Sequence, residues 1–146
     1  MKLVAVLVFV VVVVVVIIMS IENVEGMTRA QIENGMKIMR KVCQPKFGVS
    51  NDILDAAMEG HFPADRALQC YQKCVLGLMK VLKNDKVQLE SLLKEIGKIL
   101  PPDMIERSKE VSIECVPKAT SEDACEAAWQ FVKCYYETDK TMYIFA

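Results

Sequence analysis

The sequence predicts an all-α domain of about six helices, stapled by three disulfides and preceded by an apolar leader. Three observations carry this expectation. Apolar residues recur at helical spacing between well-marked breaks, and no stretch alternates convincingly at period two, so strands are not expected. Six cysteines (Cys43, Cys70, Cys74, Cys115, Cys125 and Cys134) form an even set in a chain of 146 residues, which in a short secreted chain reads as a disulfide framework. The chain begins with an apolar run from Leu3 to Met19, mostly valine, with Lys2 the leader's only basic residue.

The leader is expected to span residues 1–26. Its apolar run of 17 residues is short for a membrane span, which needs about 20, and slightly long for a signal core of about 7–15. The run starts two residues from the initiator, and Val24-Glu25-Gly26 supplies modest side chains where a peptidase would cut. A signal peptide cleaved after Gly26 is therefore expected, with no stable membrane anchor. Residues 27–146 would form one domain around one core. Removing Lys2, Glu22 and Glu25 from 18 basic and 19 acidic residues leaves 17 of each. A neutral surface with no basic cluster disfavours nucleic acid and anionic membranes as partners.

Each helix has its signals. Thr28 caps the first, whose stripe is Ile32, Met36, Met39 and Cys43, with Pro45 and Gly48 ending it. Ser50 caps the second, with Asp52 in its first turn, Ile53, Leu54, Ala57 and Met58 on its inner side, and Gly60 as its stop. Pro63 suits the first turn of the third, which carries Leu68, Cys70, Tyr71, Cys74, Val75, Leu78 and Val81 and is read as running to Lys83, before the turn signal Asn84-Asp85. The fourth shows Leu89, Leu92, Leu93, Ile96, Ile99 and Leu100 on one face, closed by Pro101-Pro102. These prolines open the fifth, where Met104, Ser108, Val111 and Cys115 align before Pro117. Thr120 or Ser121 caps the sixth, whose stripe is Cys125, Ala128, Trp129, Val132 and Tyr136.

Six cysteines allow 15 pairings, and helix geometry removes some of them. Cys70 and Cys74 are four apart on one helix, with nearly parallel side-chain directions about 6 Å apart, poor geometry for a mutual bond. Cys125 and Cys134 are nine apart, about 13 Å along one axis and on opposite faces, so each must reach elsewhere. Three disulfides at about 2–4 kcal/mol each, against a typical net stability of about 5–15 kcal/mol, would let the shell tolerate a hollow interior. Such a hollow costs about 24 cal/mol per Å³ of void.

Catalysis and metal binding are not expected. His61 is the only histidine, and it sits on a turn beside Phe62 and Pro63 without the oriented base that nucleophile chemistry needs. With the cysteines oxidised, one histidine makes no zinc site. No cofactor is implied.

The gaps between successive cysteines are 26, 3, 40, 9 and 8 residues. This order closely resembles the insect odorant-binding proteins, above all the pheromone- and alcohol-binding subgroup with short C-terminal tails. The likeness spans the whole mature chain and includes Cys43-Gln44-Pro45-Lys46-Phe47, Cys70-Tyr71-Gln72-Lys73-Cys74, Pro101-Pro102-Asp103-Met104 and the short tail after Cys134. Saposin-type domains have six cysteines at a different spacing, and plant lipid-transfer proteins need eight.

The resemblance implies bonds Cys43–Cys74, Cys70–Cys125 and Cys115–Cys134 and a lined apolar cavity. It also implies a secreted carrier for a small hydrophobic odorant or pheromone in sensillum lymph, monomeric or weakly dimeric, with an olfactory receptor as downstream partner. A carrier of a hormone, fatty acid or plant compound outside smell is the alternative, and a membrane-interacting lipid-exchange protein a weaker one. The expected cavity wall comprises Met39, Leu76, Val81, Val87, Leu92, Ile96, Ile99, Ala128, Val132 and Tyr135, with Tyr143 and Phe145 from the tail. Seven methionines (Met27, Met36, Met39, Met58, Met79, Met104 and Met142) suit an adaptable lining, although they also suit an ordinary core.

In alcohol-binding relatives, hydroxyl side chains follow the third cysteine. Here no serine or threonine lies between Cys74 and Lys83, so a larger, mostly apolar ligand with one polar group is expected. Tyr71, Tyr135, Tyr143 and Ser108 are the candidate polar handles. The tail Met142-Tyr143-Ile144-Phe145 reads as a lid or plug rather than a frayed terminus. His61, or carboxylates near the tail such as Glu137 and Asp139, are the candidates for any pH response.

Overall fold

In the computed structural model, which describes residues 1–19 and 26–145, a first helix α1 (Lys2–Met19) precedes the domain. Its side chains from Leu3 to Val16 are exposed and none belongs to the core. Among the described residues no helix is long and apolar enough to cross a membrane. Val24 and Glu25 of the expected cleavage segment lie outside the described residues. The domain edge is fixed where the Met27 amide donates to the Ile99 carbonyl at 2.8 Å.

Six helices follow: α2 (Arg29–Phe47), α3 (Asn51–Met58), α4 (Arg66–Leu78), α5 (Leu89–Ile99), α6 (Pro102–Cys115) and α7 (Ala124–Thr138). Short 3₁₀ turns at Val116–Lys118 and Lys140–Met142 flank α7. The caps explain the boundaries. Thr28 and Gln31 form a reciprocal capping box on α2 (Gln31 amide to Thr28 Oγ1, 3.3 Å; Thr28 amide to Gln31 Oε1, 2.8 Å). Ser50 and Asp65 accept from the Ile53 and Leu68 amides and start α3 and α4.

Several boundaries differ from the sequence reading. Pro45 does not end α2: the helix continues to Phe47, because a proline in the last turn removes one bond, to the Lys41 carbonyl, and Gly48 at φ 67° closes it with a left-handed cap. Pro63 lies before α4, which starts on its Asp65 cap. The cap of α7 is Asp123, which accepts from the Glu126 amide at 2.8 Å, not Thr120 or Ser121.

The largest correction lies after α4. The helix stops at Leu78 instead of reaching Lys83, because Lys80 adopts φ 60° and turns the chain. Two short antiparallel strands, β1 (Leu82–Lys83) and β2 (Lys86–Val87), then form a hairpin. Its turn is Asn84-Asp85, at φ 51° and 62°, a left-handed pair that matches strand twist in two-residue hairpins. Strands this short carry no period-two signal to read.

Helices α4 and α7 form the most extensive pairing, and α2 lies against α4. Cys43–Cys74 ties α2 to α4, Cys70–Cys125 ties α4 to α7, and Cys115–Cys134 ties α6 to α7, the three pairs that the resemblance implies. Both α4 and α7 are therefore held on two sides. Beside the Cys70–Cys125 bond, Arg66 grips Asp123 through two parallel hydrogen bonds of 2.6 and 3.0 Å. That guanidinium, followed by the backbone amide of Glu126, holds the Asp123 carboxyl down at about 2. The core between these helices holds Leu68, Val75, Leu76, Met104, Val111, Ala128, Phe131 and Val132, all essentially closed to solvent.

Candidate functional site

The C-terminal segment divides the apolar interior into two spaces. Asp139 ends α7 and organises the turn after it: its carboxylate accepts from the Thr141 amide (3.0 Å) and hydroxyl (2.6 Å) and pairs with Arg107 Nε at 2.7 Å. Arg107 first, and Thr141 next, hold the Asp139 carboxyl at about 2, well below its ordinary 3.8. From this anchor the chain turns inward. Met142 and Phe145 are buried, and Tyr143 and Ile144 are half-buried against the core.

Aromatic edges hold the tail there. Tyr143 meets Tyr136 at 5.1 Å and Phe62 at 6.1 Å between ring centres, and Phe145 meets Tyr135 at 6.0 Å, all near perpendicular. Gly60 makes room for this cluster. It sits at φ 94°, and a Cβ there would lie 2.5 Å from the Tyr136 ring. The α3–α4 loop and the tail therefore share one aromatic contact surface.

On one side of the tail is a half-open cleft of about 550 Å³, within the range of about 300–1,000 Å³ usual for ligand sites. Its floor is Ile32, Met36, Met58, Met104, Tyr136 and Phe145, and its rim carries Arg29, Glu33, Lys37 and Lys140. On the other side is an apolar pocket of about 30 Å³ under Met79, Val81, Leu92, Ile96, Ile99, Leu100 and Tyr135. Ile144 and Phe145 line both spaces and separate them.

Of the residues named from the sequence, Val81, Leu92, Ile96, Ile99, Tyr135 and Phe145 line the inner pocket, and Tyr143 with Phe145 lines the outer cleft. Met39, Leu76, Val87, Ala128 and Val132 line neither. Leu76, Ala128 and Val132 are packed in the core, while Met39 and Val87 are half-buried against it. The sequence reading missed Ile32, Met36, Met58, Met104 and the charged rim. The methionines were visible as adaptable lining, but nothing local placed them around one cleft.

The polar handles are largely committed to the protein itself. Ser108 is fully buried; its hydroxyl donates to Met142 Sδ at 3.5 Å, and its carbonyl accepts from Tyr135 Oη at 3.4 Å and Ser112 Oγ at 2.7 Å. Burial raises the Tyr71 phenol to about 12 and also pushes the Tyr135 and Tyr143 phenols up, so all three are neutral at physiological pH. His61 is exposed on the α3–α4 loop, where its amide donates to the Ala56 carbonyl at 2.8 Å.

Among the described residues no cluster could hold a metal ion. The arrangement is a disulfide-braced shell with a half-open cleft of ligand size on one side of its own tail and a much smaller apolar pocket on the other.

Comparisons with known proteins agree with this architecture. Residues 25–138 match the PBP/GOBP family. General odorant-binding protein 72 of Anopheles gambiae is 33% identical over 115 residues, covering 77% of this chain and 94% of that one. Odorant binding protein 5 of Apis mellifera superposes with a TM-score of 0.77 at 29% identity, over 83% of this chain and 99% of that one. Odorant binding protein 7 of Anopheles gambiae, solved with four disulfide bridges and an azo compound, gives 0.66 at 25% identity, over 76% of this chain and 88% of that one. The chain belongs to the PBP/GOBP family, whose members are generally secreted odorant-binding carriers of small hydrophobic ligands and not enzymes.

Proposed function

We propose that this protein carries an odorant or pheromone through sensillum lymph to an olfactory receptor, as a monomer or weak homodimer. The observation that carries the reading is the half-open cleft of about 550 Å³ with an apolar floor, bordered by the protein's own tail. The relative solved with an azo compound supports a guest of this kind. Residues 1–26 act as a signal peptide, and 27–146 are the mature carrier. A ligand of about 20 heavy atoms at roughly 0.4–0.5 kcal/mol per atom binds in the micromolar range or somewhat tighter.

Expression of the full chain in a secreting eukaryotic host, followed by native mass spectrometry with a panel of volatiles, tests this. A product beginning at Met27, carrying three disulfides and retaining one guest per chain, is expected. A product that retains no member of the panel sinks the carrier reading. Staining confined to glands or haemolymph instead of antennae replaces olfaction with transport elsewhere.

A further inference from the structure

The chain enters the domain pressed against the end of α5. The Met27 amide donates to the Ile99 carbonyl at 2.8 Å, and Ile99 is the last residue of that helix. Gly26 packs onto the next peptide: a Cβ built there would overlap the Leu100 carbonyl and lie 3.2 Å from the Pro101 nitrogen. Among the described residues no loop or cap amide donates to the Leu100 carbonyl. Residues 26 and 27 therefore face two carbonyl groups at the negative end of a helix dipole, where the helix itself supplies no donors. Ile99 and Leu100 also line the inner pocket. Whatever fixes them fixes part of its wall.

We propose that cleavage after Gly26 turns this contact into a charged cap, with the released Met27 α-ammonium bridging the Ile99 and Leu100 carbonyls. This rests on the cleavage proposed above and gives the new terminus a role. Hydrolysis breaks the Gly26–Met27 peptide bond: the oxygen of water goes to the Gly26 carbonyl carbon and both its protons go to the Met27 nitrogen, leaving a carboxylate and an ammonium. The nitrogen then carries three donors instead of one. One keeps Ile99, and departure of Gly26 clears the space before the Leu100 carbonyl for another. A charged donor makes roughly twice the bond of a neutral amide, and the helix dipole favours a cation at this end. Charged groups on the adjoining elements are paired with each other, Arg29 of α2 with Asp103 of α6 at 3.6 Å and Lys98 with Glu95 on α5 at 2.9 Å. The unprocessed chain lacks the ammonium, so the pocket wall is completed only in the mature protein.

The test uses the secreted, disulfide-intact product, before and after selective acetylation of its α-amine at mildly acidic pH. N-terminal sequencing comes first. A product that does not begin at Met27 overturns this inference together with the cleavage site, and leaves the carrier reading untouched. With isotope-labelled methionine, the Met27 Cα resonance then reports the titration of its amine. The folded protein should titrate about 0.5 unit above the same amine in the urea-unfolded chain, whose ordinary range is about 7.7–8.0. That shift corresponds to about a threefold change in the folding equilibrium. Because the folded value is the raised one, the stabilisation is complete below the unfolded value and is lost as pH rises through the folded one. Hydrogen exchange reads the same contact from the other side. The Leu100 amide, which donates to the Ile96 carbonyl at 3.1 Å, should exchange about threefold more slowly at neutral pH in the free-amine form than in the acetylated form. At about pH 9.5 the two forms should match. A folded amine that titrates with the unfolded one, or equal exchange in both forms at neutral pH, overturns the proposal and leaves cleavage and carrier intact.

Discussion

The α4–α7 pair and the tail that follows α7 are held by different physics. Across α4 and α7, two disulfides meet each helix, and Phe131 and Val132 are fully enclosed. The tail has no covalent tie. Its hold is one ion pair at Asp139, a weak bond from Ser108 to Met142, and perpendicular aromatic contacts through Tyr143 and Phe145. The first arrangement is covalent; the second rests on noncovalent contacts alone. A carrier needs both in one molecule, since the shell must persist while the entrance yields.

That contrast breaks most visibly at the disulfides. Removing Cys70–Cys125 with paired serines is expected to cost about 4 kcal/mol and removing Cys115–Cys134 about 3, because they close separations of 55 and 19 residues. Urea denaturation should return that order. A core deletion comes next: Phe131→Ala should cost about 3–5 kcal/mol, read in the same titration. Gly60→Ala sharpens the comparison from the other side. Left-handed backbone and the Tyr136 ring oppose its Cβ, so about 1–3 kcal/mol is expected, together with an altered tyrosine near-ultraviolet signal. If the loss comes without that signal, loop and tail are not mechanically joined.

Tail truncation after Met142 removes the buried Phe145 with Tyr143 and Ile144. It should lower the denaturation midpoint, though less than Phe131→Ala does, while guest exchange, followed by stopped-flow probe release, speeds up severalfold. Unchanged release would remove the gating role of Tyr143, Ile144 and Phe145. The smallest effect concerns acid. Asp139 has its folded value depressed to about 2 from 3.8, so its contribution is complete above the unfolded value and is lost only as pH falls through the folded one. Tail tyrosine signals should therefore hold between about pH 7 and pH 5 and change below about pH 4. Asp139→Asn should show the loosened signal already at neutral pH.

Much of the fold was legible because its signals are local. Thr28 and Ser50 announce their helices within four residues, and the cysteine spacing carried the whole framework through resemblance. The hairpin at Leu82–Val87 was not legible: two-residue strands offer no alternation, and the apolar Val81 and Leu82 extend the helical stripe of α4 in sequence alone. The inner pocket could be read from the single face of α5, where Leu92, Ile96 and Ile99 align. The outer cleft could not. Lys37 and Lys140 lie at opposite ends of the domain sequence, and only the inward turn at Asp139 brings them to one rim. The five expected lining residues that line neither space were assigned by helix face, and a face toward the core need not be a face toward a void.

The Arg66–Asp123 bridge has a consequence for the reduced protein. It lies one turn ahead of Cys70 on one helix and two residues ahead of Cys125 on the other. The same pair of helices is thus joined twice within about one turn, once by sulfur and once by charge. Thiol reagents that cut the covalent mark leave the ionic one in place, but an exposed pair of this kind contributes little. The register of the reduced helices therefore falls to the buried side chains packed between them.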